Sequence, residues 1–153
     1  MSLYLVQHGK NLPKEESPDQ PLSETGRKEV QQMASVAREH GVKVKRIEHS
    51  PKLRAEETAR IMGQELKPVE GVQEREGIKA LDDVTSIVSQ IDPAGDIMLI
   101  GHLPFMERLA SYLVAGDQEL LTVKFQNGGI VCLDKDMEKD AWYVKWMFMP
   151  HIN

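Results

Sequence analysis

Two short apolar runs each deliver the chain to a histidine. Leu3-Tyr4-Leu5-Val6-Gln7 runs into His8-Gly9-Lys10, and Ile97-Met98-Leu99-Ile100 runs into Gly101-His102. Apolar runs this short, closed by glycine, read as buried strands, because a core helix needs a longer stretch. Amphipathic stretches alternate with such runs along the chain. That alternation predicts an α/β fold, a three-layer α/β/α sandwich around a mostly parallel central sheet. With 153 residues, a single domain over 1–153 is expected.

Local signals place the elements. Ser23 caps a helix over 24–40 in which Val30, Met33, Ala34 and Ala37 recur at helical spacing until Gly41 closes it. Val44 to His49 is a second strand. Ser50-Pro51 then offers a capping side chain before a proline at the first helical position, so a second helix is expected to run to about Leu66. Residues 67–79 lack a clear period and read as loop with room for a short strand. Leu81 to Ile91 is expected to be helical, Pro93-Ala94-Gly95-Asp96 a turn, and Pro104 to Val114 an amphipathic helix. Leu121 to Lys124, Gly129 to Leu133 and Trp142 to Phe148 read as strands, with Asp134 to Asp140 as a charged hairpin turn. Trp142, Trp146, Met147, Phe148 and Met149 read as core or edge packing.

Charge and cysteine content narrow the function. Nineteen Lys and Arg against 24 Asp and Glu give a net charge of -5, which argues against a protein that grips nucleic acid. Cys132 is the only cysteine, so there is no intramolecular disulfide and no cysteine metal site. His40, His49 and His151 have no partners at metal spacing, and Asp134, Asp136, Glu138 and Asp140 lack the glycine and final glutamate of a calcium loop. No metal and no cofactor is expected. No apolar run reaches the length of a membrane span or a signal core, so a cytoplasmic protein without membrane contact is expected.

In an open α/β sheet, ligands bind beyond the carboxyl ends of the strands, where His8, Ser50 and His102 all fall. Arg54, four residues past Ser50, stands in the first turn of its helix with its guanidinium able to reach the same rim. Two imidazoles and a guanidinium beside helix N-termini make an anion site. The ordinary alternative is that each histidine is a turn residue after its strand.

Four motifs bear on that choice. Val6-Gln7-His8-Gly9, Pro21-Leu22-Ser23-Glu24-Thr25-Gly26, Ser50-Pro51-Lys52-Leu53-Arg54-Ala55-Glu56-Glu57-Thr58-Ala59 and Ile100-Gly101-His102-Leu103-Pro104 resemble, in order and spacing, the histidine phosphatase superfamily. This is the phosphoglycerate mutase-like fold, shared with acid phosphatases. The small size, the Gly-His-Leu-Pro element, Phe125-Gln126-Asn127-Gly128 and the tail from Trp146 to Pro150 most resemble its short phosphohistidine phosphatase branch, the SixA type. The resemblance implies that His8 is the nucleophile that becomes phosphohistidine, that Arg54 clamps the phosphoryl oxygens, and that His102 is the second pocket histidine. It also exposes a departure: the first motif of the family is Arg-His-Gly, and its arginine aligns with Gln7.

Phosphoryl transfer is mostly positioning and charge neutralisation, so that departure has a cost. Glutamine keeps two N–H donors but loses the charge and the fork of an arginine. A loss of about 2 to 4 kcal/mol of transition-state stabilisation corresponds to a rate factor of about thirty to nearly a thousand. Lys10 can restore a point charge if it leans in, and is otherwise a solvated loop lysine. Gln7, His8, Arg54, His102 and Lys10 are thus the candidate phosphate-binding set, with His8, Arg54 and His102 the catalytic set. For a general acid, Glu74, Glu76, Asp82 and Asp83 compete without a distinctive motif, and either aspartate can equally cap the helix that follows.

The expected function is hydrolysis of a phosphorylated side chain, protein phosphohistidine above all, through a covalent intermediate on His8. An imidazole leaving group is protonated by solvent near neutral pH, so the missing acid motif suits a P–N substrate. The expected partner is a phosphorylated protein, such as a histidine phosphotransfer protein, or a small phosphate ester. A chain this short has little material for insertions that enclose a small substrate, which favours the macromolecule. The alternative is a pseudo-phosphatase that binds phosphorylated ligands through Arg54 and His102 while Gln7 abolishes turnover. A mutase is disfavoured by length.

Overall fold

The computed structural model describes residues 2–152. Its strands are β1 (Leu3–Gln7), β2 (Arg46–His49), β3 (Val72–Glu74), β4 (Ile97–Gly101), β5 (Ile130–Asp136) and β6 (Ala141–Phe148), and its helices are α1 (Glu24–Glu39), α2 (Leu53–Leu66), α3 (Thr85–Val88) and α4 (Phe105–Ala115). One sheet joins the strands in the order β3-β2-β4-β1-β5-β6. The pairs β1/β4, β2/β4 and β2/β3 are parallel, and β5 joins the sheet antiparallel to both β1 and β6. The expected mostly parallel α/β sheet is what forms.

Strand alternation divides β1 between two cores. Tyr4 and Val6 pack with Val30, Met33, Ala34 and Ala37 of α1 and Ala55, Ala59 and Met62 of α2, while Leu3 and Leu5 pack with Ile87 and with Phe105, Met106 and Leu109 of α4. The central strands are buried on both faces, hence their unbroken apolar runs. A bulge lets β6 serve both cores. Cys132 pairs with Trp146 but Leu133 pairs with Val144, which leaves Lys145 as the extra residue. Trp146 and Phe148 therefore join the α1/α2 core, and Trp142 and Val144 the α4 core.

Five sequence expectations need correction. The strand from Val44 begins at Arg46, with Val44 buried ahead of it. Ser50-Pro51 does not start α2: the Ser50 hydroxyl accepts from Lys52 N–H in a turn ahead of the helix, which begins at Leu53 behind Lys52. The helix over 81–91 contracts to Thr85–Val88. Lys79 N–H donates to the Asp82 carboxylate, Asp83 caps Thr85, Leu81 is left exposed, and the bonds Ser86 to Asp83, Ile87 to Val84 and Gln90 to Ile87 span three residues, not four. Leu121 to Lys124 is not a strand. Its chain lies along α4, where Thr122 N–H bonds the Ser111 hydroxyl and Phe125 N–H the Glu107 carboxylate, so helix side chains take the place of a ladder. The hairpin turn is also shorter than 134–140, since β5 continues through Asp136 and β6 starts at Ala141.

The loop after β1 is fixed by α1. Ser23 accepts from Gly26 N–H as the helix cap and donates its own N–H to the Lys10 carbonyl at 2.9 Å. Gly26 permits this approach, because a Cβ there would run into the Lys10 backbone. Gly26→Ala is expected to destabilise the protein by about 3 kcal/mol, the upper range for overpacking against backbone. Urea unfolding measures it, and a change below about 1 kcal/mol means that the loop yields without strain.

Candidate active site

Three backbone hydrogen bonds gather the pocket at one end of the sheet. His8 N–H donates to the Gly101 carbonyl at 2.9 Å, Ser50 N–H to the Ile100 carbonyl at 3.0 Å, and Gly128 N–H to the Gln7 carbonyl at 2.8 Å. The ends of β1, β2 and β4 are thereby locked side by side, and the His8 and His102 rings lie 5.0 Å apart, tilted by 55°. Both are buried, at 8% and 3% exposure.

Hydrogen bonds anchor both imidazoles. His8 Nδ1 lies 2.7 Å from the Gly9 carbonyl, which can only accept, so Nδ1 carries the proton and Nε2 keeps its lone pair. His102 Nε2 lies 2.6 Å from the Ser50 hydroxyl. That oxygen also accepts from Lys52 N–H at 3.2 Å, so one hydroxyl joins the His102 ring to the backbone ahead of α2. The pocket thus offers His8 Nε2 with its lone pair free and His102 Nδ1 as a buried nitrogen with no hydrogen-bond partner among the described residues.

Arg54 supplies the positive charge. It is the second residue of α2, and burial lowers its guanidinium below the usual arginine value. Burial also pushes His8 down to about 4, Arg54 adding to the effect while the Gly9 bond opposes it. His102 is pushed down to about 3 by burial and then by His8, Arg54 and Lys52. Both imidazoles are neutral across the physiological range.

Thr58 ties the loop after β1 to the start of α2. Its hydroxyl accepts from Gly9 N–H at 3.0 Å and donates to the Arg54 carbonyl at 2.8 Å. Asn127 Nδ2 donates to the His8 carbonyl at 3.0 Å. The sequence placed Ser50, Thr58 and Asn127 within motifs but gave them no such roles. Their signal was only their position in those motifs, and their partners lie at least 49 residues away.

The remaining candidates are dispersed. Lys10 Nζ lies 3.1 Å from Glu29 on α1. Gln7 Oε1 is buried with no hydrogen-bond partner among the described residues. Glu74 is exposed at the end of β3, Glu76 faces Lys79, and Asp82 and Asp83 hold the turns around Lys79 and Thr85. Arg27 pairs with Glu57, and Lys28 with Glu24. Among the described residues no helix is long and apolar enough to cross a membrane.

Two buried imidazoles, one with a free ring nitrogen lone pair, and a guanidinium at the carboxyl ends of parallel strands suit phosphoryl-group chemistry. The chain belongs to the histidine phosphatase superfamily (branch 1), whose model matches residues 3–82. Its backbone resembles that of the protein histidine phosphatase SixA complexed with tungstate, with a TM-score of 0.85 and 24% identity over 98% of this chain and 97% of the other. A chain provisionally named phosphohistidine phosphatase SixA, from Agrobacterium tumefaciens, gives 0.78 at 22% identity over 97% of both chains. Phosphoserine phosphatase from Entamoeba histolytica, in complex with 3-phosphoglyceric acid, gives 0.70 at 14% identity over 95% of both. These likenesses are of fold, and together with the family they support a phosphatase. Comparison with curated proteins gives no match.

The depressed imidazoles link pH to stability. Their folded values lie below the ordinary 6.5, so between about pH 6.5 and 4 the unfolded chain binds protons that the native state refuses. Stability is expected to fall as pH drops through that window and to be insensitive to these groups above it. The slope of melting temperature against pH between about 6.5 and 5 should flatten in a His8→Asn/His102→Asn double variant. An unchanged slope means that the histidines are not neutral in the fold.

Proposed function

We propose that this protein is a phosphatase that removes the phosphoryl group from protein phosphohistidine through a covalent intermediate on His8. The observation that carries it is the contact of His8 Nδ1 with the Gly9 carbonyl, which leaves Nε2 a free lone pair beside the His102 ring, with Arg54 at the start of α2 to meet phosphoryl oxygens. Nε2 attacks phosphorus, the P–N bond of the substrate breaks, and the departing imidazole takes a proton from solvent. Water then displaces the phosphoryl group from His8 and restores the free ring.

Two features support the phosphohistidine substrate. The carboxylates expected to compete as acids are exposed or occupied in turns, as suits a leaving group that solvent can protonate. An open cleft of about 440 Å³ beside Arg54, between residues 18–20 and 51–54, leaves room for a side chain presented by another protein. A histidine phosphotransfer protein is the proposed partner, a small phosphate ester the lesser one, and the cytosol the proposed compartment.

The second reading is favoured by Gln7. With one arginine at the rim, the same pocket can hold a phosphorylated ligand without turning it over. Two variants separate the readings. Wild type is expected to release a burst of phosphate from a phosphohistidine peptide, and His8→Ala is expected to release none. Gln7→Arg is expected to raise the rate by about ten-fold or more, the scale of one charged contact to a transition state. Equal rates for wild type and His8→Ala sink the covalent mechanism, and a wild type that binds but never releases phosphate leaves the binding module.

A further inference from the structure

The charges of the pocket fall short of those of its ligand. A phosphoryl group above its second ionisation, at about pH 6, carries two negative charges. Burial holds His8 and His102 neutral, so of His8, His102 and Arg54 only Arg54 brings a positive charge to meet them. Nearby cations are engaged elsewhere: Lys10 pairs with Glu29, Arg27 with Glu57 and Lys28 with Glu24. Lys52 is different. Its side chain is exposed and its ammonium has no ion pair among the described residues.

Backbone contacts set Lys52 at the pocket. It is the residue before α2, and its N–H donates at 3.2 Å to the Ser50 hydroxyl, which lies 2.6 Å from His102 Nε2. One hydroxyl thus stands between its main chain and the imidazole. Together with Arg54, Lys52 also lines the open cleft of about 440 Å³ that Pro18, Asp19 and Gln20 share. Two cations meet one carboxylate there, so the cleft is positive in a chain of net charge -5. The Lys52 charge reaches the His102 ring, where it joins burial, His8 and Arg54 in holding that imidazole's pKa down.

We propose that Lys52 is the second phosphate cation of this pocket, its ammonium closing from the cleft side on a phosphoryl group held by Arg54 and supplying the charge that a dianion needs. This deepens the phosphatase reading and rests on the phosphate pocket that it assumes. The two cations differ in kind. A guanidinium is a planar fork that fixes orientation, whereas an ammonium is a compact point charge on a flexible four-carbon stem. Lys52 can therefore follow a phosphoryl group that arrives through the cleft and settle on it once Arg54 has set its orientation.

The test compares two non-hydrolysable anions of unequal charge, by calorimetry on the purified protein at about pH 8.5, well above the second ionisation of phosphoryl groups. Phenylphosphonate is then a dianion and benzenesulfonate a monoanion. Coulomb energy scales with the product of the charges, so losing one cation weakens the dianion about twice as much, on a logarithmic scale, as the monoanion. Lys52→Gln is expected to lower sulfonate affinity by about three-fold and phosphonate affinity by about ten-fold. Lys52→Met, the second variant, should do the same, and Lys52→Arg, which keeps the charge, should hold both affinities within about two-fold of wild type. The ratio is the readout, because general loosening of the pocket weakens both anions alike. Equal losses for the two anions in Lys52→Gln and Lys52→Met, or no loss, overturn the proposal and leave the phosphatase reading standing. So does a Lys52→Arg variant that loses as much as Lys52→Gln. A wild type that binds neither anion overturns the phosphate pocket and the proposal with it.

Discussion

The hydrogen bond from His8 N–H to the Gly101 carbonyl extends the β1/β4 ladder by one residue beyond the strand. Parallel pairing sets corresponding residues side by side, so the histidines that follow two separate apolar runs emerge as neighbours. Side chains alternate between faces, and a slip of one residue would turn His8 away and exchange Leu5 for Val6 between the cores. Burial on both faces makes that slip prohibitive. The same apolar packing that stabilises the sheet therefore sets the separation of the two imidazoles.

Around this register the pocket is held by neutral contacts. The Gly9 carbonyl fixes the His8 ring, the Ser50 hydroxyl fixes the His102 ring, and the Thr58 hydroxyl spans the loop after β1 and the start of α2. Charge is concentrated at the rim on Arg54 and Lys52. In a site shielded from water, a few fixed dipoles serve where solvent would need to reorganise, while burial keeps the His8 ring neutral against the pull of the Gly9 carbonyl. Serine at position 50 carries two tasks: it satisfies the backbone ahead of α2 and holds the ring of an imidazole 52 residues away.

Where local physics and tertiary context agree, the sequence was legible. The runs ending at Gln7 and Ile100, the Ser23 cap and the helical spacing of Val30, Met33, Ala34 and Ala37 are local signals that nothing in the fold contradicts. The order of the motifs identified the family, and His8 and His102 lie together in the structure. What stayed hidden depends on partners far along the chain. Ser50 reads as a helix cap until His102 arrives beside it. Leu121 to Lys124 look like strand residues, but Ser111 and Glu107 take up the backbone at Thr122 and Phe125 from α4. The apolar residues around Ile87 have helical spacing, but Asp82 and Asp83 tie the chain into tight turns that spend the first part of the segment. Lys10 is caught by Glu29, a pairing that local spacing does not reveal.

The bulge at Lys145 has a consequence at the border of the sheet. β6 is the last strand, with one side of its backbone open and with Tyr143 and Met147 exposed. A long, flat, apolar edge is a template on which another chain can add a strand. The extra residue disturbs the spacing of the backbone groups and sharpens the local twist, and it is a lysine, held near Asp134. The irregularity that lets one strand fill two cores also makes the margin of the sheet a poor seed for aggregation.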